Sequence, residues 1–349
     1  MLHDAGSWHY EFNATVASIR ERLLALAGTS QDGGYEAVLM QGSGTFGLES
    51  VITSTVPRDG RLLIVANGAY GERSIKIAET AAIDVVPLRY PEDTPANPED
   101  VRQTIAGDSK ITSVEIVHCE TTTGLLNPIE AVGRVVHEAG RSYIVDAMSS
   151  FGGIPIDVAA LDIDYLISSA NKCIEGVPGF SFVIARRDAL LSCEGHARSF
   201  SLNLLDQWRG LENNGQFRFT PPTHSMLAFS QALNELEQEG GIEARAARYG
   251  RNHETLLAGM RELGFKQHLR PEVQSYIITS FHYPAHPKFD FGEFYRLLAD
   301  RGMIIYPGKL AQQPCFRIAN IGRLFEADIR QLLDAIEDVM LEMGCANER

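Results

Sequence analysis

Short apolar runs alternate with longer stretches of helical spacing through the first half of the chain. That alternation limits the fold more than any other feature. Residues 37–40, 61–66, 84–88, 113–118, 142–146, 165–169 and 180–185 read as strands, and helical patterns such as 129–139 lie between most of them. Strands that are apolar on both faces need cover on both, so the pattern predicts a largely parallel sheet clad in helices. Beyond about residue 186 the texture changes. Residues 187–222 are punctuated by Gly and Pro and read as irregular. Helices are expected over 225–239 and 242–263, split by the Gly240-Gly241 stop. Strands at 276–281, 303–306 and 315–319 and a helix over 325–343 complete the reading. The expectation is an α/β protein. A large domain over 1–222, with 1–20 as an N-terminal segment, carries a mostly parallel seven-stranded sheet, and a smaller α+β domain covers 223–349.

Charge and composition sort the partners. The chain has 349 residues, with 31 basic and 45 acidic ones, a formal net charge of -14. Such a surface argues against nucleic acid and against an anionic membrane face as partners, while a locally positive pocket can still take a small anion. No apolar run reaches the length of a membrane span. The first residues lack the basic and apolar regions of a signal peptide. Cys119, Cys173, Cys193, Cys315 and Cys345 form no Cys-x-x-Cys pair, and the histidines form no His-Glu-x-x-His motif. Reduced thiols, a cytoplasmic location and no metal site are therefore expected.

Three features can carry chemistry. Gln41-Gly42-Ser43-Gly44-Thr45-Phe46-Gly47 follows a strand and opens a helix. Such a loop offers backbone N–H groups to an anion, most often phosphate. It also matches the Gly-x-Gly-x-x-Gly pattern of dinucleotide folds, which want an acid at the end of the next strand. That strand ends Val65-Ala66-Asn67-Gly68, without one. Asp146 ends an apolar strand, where α/β sheets place ligands, although a helix cap or a loop ion pair uses an acid there too. Lys172 follows another apolar strand among small and polar residues; a partly buried lysine can form a Schiff base, and a surface lysine does nothing of the kind. Ser169-x-x-Lys172 alone lacks the companion motifs of a serine acylase. Phosphate loop, strand-end acid and strand-end lysine, in that order, are what pyridoxal phosphate requires: an imine partner, an acid for the pyridine nitrogen and an anchor for the phosphate. An acid paired with a pyridinium should have a depressed pKa.

With these residues in view the sequence resembles the fold type I, class V pyridoxal-phosphate aminotransferases. The resemblance covers nearly the whole chain. It rests on Leu39-Met40-Gln41-Gly42-Ser43-Gly44, Asn67-Gly68-Ala69-Tyr70-Gly71-Glu72-Arg73 and His118-Cys119-Glu120-Thr121-Thr122-Thr123-Gly124. It continues through Asp146-Ala147-Met148-Ser149-Ser150-Phe151-Gly152-Gly153 and Ser168-Ser169-Ala170-Asn171-Lys172-Cys173. Arg218-Phe219-Thr220-Pro221-Pro222-Thr223-His224, Tyr306-Pro307-Gly308-Lys309 and Phe316-Arg317-Ile318-Ala319-Asn320-Ile321-Gly322 extend it.

The resemblance implies pyridoxal 5'-phosphate as cofactor. It implies Lys172 as the Schiff-base lysine and proton shuttle, and Asp146 on the pyridine nitrogen. Ser43, Gly44 and Thr45 would bind phosphate, Tyr70 would stack on the ring, and Thr121 and Asn171 would hydrogen-bond the cofactor. Thr220 would reach the phosphate of a neighbouring subunit, making a homodimer with shared sites. Arg317 would bind a phosphonate or a carboxylate, since a guanidinium fork suits both. Tyr70, where glyoxylate aminotransferases carry Trp, and the Thr121-Thr122-Thr123 run favour the branch that moves an amino group from 2-aminoethylphosphonate to pyruvate. The family also implies an N-terminal Thr-Pro-Gly-Pro stretch at the site mouth, and this chain starts downstream of it. Alternatives are an alanine– or serine–glyoxylate aminotransferase, a cysteine desulfurase, a nicotinamide oxidoreductase using the Gly42–Gly47 loop, or a binding protein without catalysis. Cys315, two residues before Arg317 and within an expected strand, argues against a desulfurase.

Overall fold

A computed structural model describes residues 4–310 and 313–345. The strands are β1 (Tyr35–Gln41), β2 (Arg61–Ala66), β3 (Asp84–Arg89), β4 (Ile111–Val117), β5 (Cys119–Glu120), β6 (Leu125–Leu126), β7 (Ser142–Asp146), β8 (Tyr165–Ser169), β9 (Phe180–Arg186), β10 (Ile278–His282), β11 (Tyr306–Pro307) and β12 (Cys315–Ala319). The helices are α1 (Tyr10–Leu26), α2 (Gly44–Thr55), α3 (Ala69–Thr80), α4 (Pro98–Gly107), α5 (Ile129–Glu138), α6 (Arg187–Ser192), α7 (Leu204–Asn214), α8 (Thr223–Glu239), α9 (Gly241–Glu262), α10 (Phe291–Asp300) and α11 (Glu326–Glu342).

The main sheet has seven strands in the order β1-β9-β8-β7-β4-β2-β3. The run from β8 to β3 is parallel, and β9 is antiparallel to both β8 and β1. The inner strands β7 and β8 are buried almost end to end, as their continuous apolar runs require. Pro87 sits in β3, the half-exposed edge strand, where a missing N–H costs no ladder bond. From β2 the chain steps outward to β3, then returns to β4 and moves the other way through β7 and β8. The reversal opens a crevice above the C-terminal ends of β2 and β4, the usual ligand position in such sheets.

A second apolar cluster, including Phe281, Phe294, Phe316, Ile336 and Val339, joins the three-stranded sheet β10-β12-β11 to α10 and α11. We propose a division of the chain at 222/223. Helix α8 follows it, but buries Met226, Phe229, Leu233 and Leu236 in the core of the large sheet, so the two units share a helix.

Several elements differ from the sequence reading. The segment 187–222 contains α6 and α7. Helix α7 is capped by Asn203, stopped by the left-handed Gly215, and buries Leu204, Leu205, Gln207 and Leu211; Gly210 within it and Gly215 at its end interrupt the period. The strand expected at 303–306 shrinks to β11, because Tyr306 and Pro307 alone pair with β12. The strand expected from 276 begins at Ile278. Among the described residues no helix is long and apolar enough to cross a membrane.

Candidate active site

The site is built on the ends of three neighbouring parallel strands. Val117 of β4 lies opposite Asp146 of β7, and Asp146 opposite Ile167 of β8. Asp146 is buried, and its Oδ1 accepts from the Met148 N–H at 2.8 Å. Burial leads the perturbation of its carboxyl, helped by the negative Glu120, and outweighs Arg73 and Lys172, so the pKa is pushed up to about 6. The depressed pKa expected of a charge-paired acid needs a cation placed directly on this carboxyl.

The glycine loop enters from β1. Ser43 stands at the N-cap of α2, but its hydroxyl caps nothing. Asn97, Asn203 and Asp290 do cap α4, α7 and α10 in this way. The first amides of α2 therefore keep free N–H groups at the positive end of the helix dipole. A Cβ at Gly44 would overlap the sulfur of Met148, so this helix start presses against the turn that follows Asp146. Gly42 has φ of +99°, and a side chain there would also meet the Phe46 ring.

Tyr70 opens α3 across the crevice. Its ring lies 4.7 Å from the Arg73 guanidinium carbon and 4.8 Å from Lys309 Nζ. The Lys309 ammonium also donates to the Tyr70 hydroxyl at 3.4 Å. Burial pushes the Tyr70 phenol up, but a hydrogen bond with Thr121 and the charges of Lys309 and Lys172 outweigh it, and the phenol falls below its ordinary value. Arg73 Nη1 donates to Thr45 Oγ1 at 3.3 Å, tying Tyr70's helix to the glycine loop. Arg317, on β12 and buried, donates from Nη1 to the Thr121 carbonyl at 2.6 Å and from Nε to the Pro307 carbonyl at 3.0 Å. Lys172 is half-buried in the turn after β8, and its charge acts on both Asp146 and Tyr70.

Ser43, Gly44, Thr45, Tyr70, Thr121, Asp146, Lys172 and Arg317 thus form one connected group. Asn171 sits beside Lys172 and is exposed. Thr220 stands apart from the crevice. It is exposed, and its carbonyl and that of Phe219 accept from Gln41 Nε2 at 3.4 and 2.9 Å.

A scan of family models matches residues 3–330 to the class-V aminotransferases. A 2-aminoethylphosphonate–pyruvate transaminase of Syntrophobacter fumaroxidans is 51% identical over 345 residues, 99% of this chain and 92% of the relative. One of Vibrio vulnificus is 53% identical over 342 residues, 97% of this chain and 93% of that protein. The chain belongs to the class-V aminotransferase family.

Solved structures agree on the fold. The ureidoglycine–glyoxylate aminotransferase of Bacillus subtilis superposes with a TM-score of 0.90 at 23% identity, over 99% of this chain and 89% of its own. The pyridoxamine–pyruvate aminotransferase of Mesorhizobium loti gives 0.88 at 23%, over 98% and 88%. The expected fold type I architecture is the one this class-V aminotransferase adopts.

Behind the crevice lie residues that the sequence reading left without a role. Glu120 is buried. Its Oε2 accepts from the N–H groups of Tyr70 and Gly71 at 3.2 Å each, and its Oε1 from the Thr122 N–H at 3.0 Å and hydroxyl at 2.6 Å. It caps α3 from a distant strand and so sets where Tyr70 stands. Burial still leads, and its pKa is raised. His118 donates its backbone N–H to the Asp146 carbonyl at 2.9 Å, and burial pushes its imidazole down to about 4, so the ring is neutral at pH 7. Glu120 and Arg73 stood inside quoted motifs, but only the fold shows what they touch. Burial raises the thiol pKa of Cys315, which lies buried within β12, and a desulfurase nucleophile has no place there.

The raised carboxyl has a testable consequence. The native state holds the Asp146 proton more tightly than the unfolded chain does. Stability from the protonated form is therefore complete below about pH 3.8 and is lost as pH rises through about 6. Asp146→Asn keeps the bond from Met148 and removes the buried charge. In protein stripped of small molecules it should be more stable than the parent at pH 7.5, by on the order of 3 kcal/mol. Thermal melts at pH 7.5 and pH 4 check this: the gain should shrink at pH 4, and a less stable variant at pH 7.5 contradicts it.

Proposed function

We propose that the chain transfers the amino group of 2-aminoethylphosphonate to pyruvate, giving phosphonoacetaldehyde and L-alanine, with pyridoxal 5'-phosphate as cofactor in a ping-pong cycle. The observation that carries this reading is the half-identity, over nearly the whole chain, to relatives that bear this activity in their names. The site supports it with two cations at the crevice, Arg317 on the Thr121 carbonyl and Lys309 on Tyr70.

The residues fit the cofactor on three counts. Asp146 is a buried carboxyl whose charge is penalised by burial, so it suits a cationic ring nitrogen. The uncapped start of α2, with Gly44 where no side chain fits, suits a phosphate at the amides of Ser43, Gly44 and Thr45. Tyr70, backed by Arg73, offers an aromatic face with Thr121 beside it, and Asn171 offers a polar group next to Lys172. When bound, the cofactor supplies an aldehyde that links to amines and a ring that draws electrons from the bond being broken.

The chain's own groups do the rest. Lys172 Nζ would carry the proton from the amine-bearing carbon of the donor to the cofactor carbon that keeps the amino group, and in the second half of the cycle would carry one the opposite way, onto the carbonyl carbon of pyruvate. The Arg317 Nη2 group, beyond the two bonds that fix the guanidinium, faces the phosphonate of the donor and the carboxylate of pyruvate in turn. Lys309 adds a point charge for the more highly charged phosphonate. Glu120 and His118 hold Tyr70 and Asp146 in place.

Purified protein given pyridoxal phosphate and pyruvate should form L-alanine from 2-aminoethylphosphonate and not from serine. Lys172→Ala should form none. Equal or faster turnover with serine or alanine against glyoxylate would instead favour the glyoxylate branch, and a Lys172→Ala variant with substantial turnover would overturn the assignment of the lysine.

The proposal includes a homodimer with shared sites. Trp8, Phe200 and Phe219 are exposed, at 76%, 78% and 41%, and Phe200 packs on Phe219 with ring centres 5.9 Å apart. Gln41 ties this patch to the glycine loop, so a second copy covering it brings Thr220 towards the partner's phosphate anchor. Light scattering should give the mass of two chains. Phe200→Glu combined with Phe219→Glu should give single chains with impaired turnover, and a fully active single chain in the parent protein would contradict shared sites.

A further inference from the structure

One face of α9 grips the two segments that carry the reacting and the anchoring cations. Arg245, Arg248, Tyr249 and Asn252 stand at helical spacing and are all buried. Arg245 Nη1 donates to the carbonyl of Cys173, the residue after Lys172, at 2.8 Å. Arg248 Nη1 donates to the carbonyls of Gly322 and Leu324 at 2.7 and 3.1 Å, in the turn that follows Arg317's strand. Asn252 Nδ2 donates to the same Leu324 carbonyl at 2.8 Å.

Glu175 closes the network on the Lys172 side. Its backbone N–H donates to the Lys172 carbonyl at 2.8 Å. Its φ is +64°, a left-handed conformation that costs a non-glycine residue about 1–2 kcal/mol. The carboxylate holds it there, accepting from Arg248 Nη2 at 2.9 Å and from the Tyr249 hydroxyl at 2.6 Å. Glu239 bridges the two arginines, accepting from Arg245 Nη2 at 2.9 Å and Arg248 Nε at 2.7 Å.

A buried ion cluster can be replaced by apolar residues with little loss of stability. This one also aims donors at the backbone carbonyls of Cys173, next to Lys172, and of Gly322 and Leu324, in the turn after Arg317's strand, and it keeps a strained acid where glycine would relax. We propose that Glu175 and Arg248 form a strut that sets the separation between Lys172 and Arg317. They are positioning residues that select the length of the amino-phosphonate donor. This inference rests on the function proposed above.

The test uses the cofactor-loaded enzyme and three donors: aminomethyl-, 2-aminoethyl- and 3-aminopropylphosphonate. Glu175→Gly keeps the left-handed turn and removes the carboxylate. Loss of the carboxylate from Arg248 and Tyr249 should lower its melting temperature, relief of the strained turn offsetting part of that, while kcat for 2-aminoethylphosphonate, measured well below the melt, falls by about tenfold or more. Its preference for the two-carbon donor over the three-carbon one should fall by about fivefold or more. Hydrogen exchange should quicken together at 172–176 and at 322–324. Glu175→Gln, which keeps the acceptor for Tyr249, should lie between parent and glycine variant, and it serves alone should the glycine variant not fold. Parent-like kcat and donor preference in the variants would overturn the strut. A parent enzyme inactive on all three donors would instead overturn the proposed function.

Discussion

The structure turns on a carboxyl placed where a charge is least welcome. Asp146 ends the central strand of a sheet whose inner strands are sealed on both faces. Two more carboxyls lie close behind. Glu120 caps α3, and Glu115, in the middle of β4, accepts from the Ser74 hydroxyl at 3.1 Å and is pushed well up by burial and by Asp146. A packed sheet gains nothing from such a group unless a cation comes to meet it. The same acid thus lowers the stability of the bare fold, and it suits the positively charged ring proposed for this site. Arg73, Lys172, Lys309 and Arg317 gather around the crevice although the whole chain carries -14. Local charge, not net charge, sets what the site can hold.

Much of this was legible in the residues. The inner strands are apolar on both faces, so their runs stand out, and a parallel sheet places its ligand at their C-terminal ends. Asp146 and Lys172 are conspicuous because a charge directly after such a run is rare. The two-residue strands β5 and β6 are too short to carry a period, and their hairpin escaped notice. An acid inside a strand, such as Glu115, looks like a residue on a wet face until both sheet neighbours are known. Arg245 and Arg248 lie in the helix expected over 242–263; their partners are mostly carbonyls and acids distant in sequence, which no spacing rule can reveal.

The two apolar cores are joined by polar contacts as well as by packing. Thr121, which follows the large sheet's β4, accepts from Arg317 of the small sheet, and Ser280 of β10 donates to the Thr122 carbonyl at 3.1 Å. Helix α9 repeats the connection on the far side. The crevice is therefore bounded by groups whose positions depend on both cores. Under the proposed function, small shifts between the cores would move Arg317 relative to Lys172 and so bear on donor choice.

Asp146 and Lys172 are proposed to form a cofactor site that accepts 2-aminoethylphosphonate. The most direct test of that proposal is the visible spectrum of the purified protein loaded with pyridoxal phosphate, before and after 2-aminoethylphosphonate is added without any keto acid. A yellow band should appear, bleach as phosphonoacetaldehyde is released, and return on addition of pyruvate. A protein that gains no visible band, or a band indifferent to this amine but bleached by alanine or serine, would contradict it.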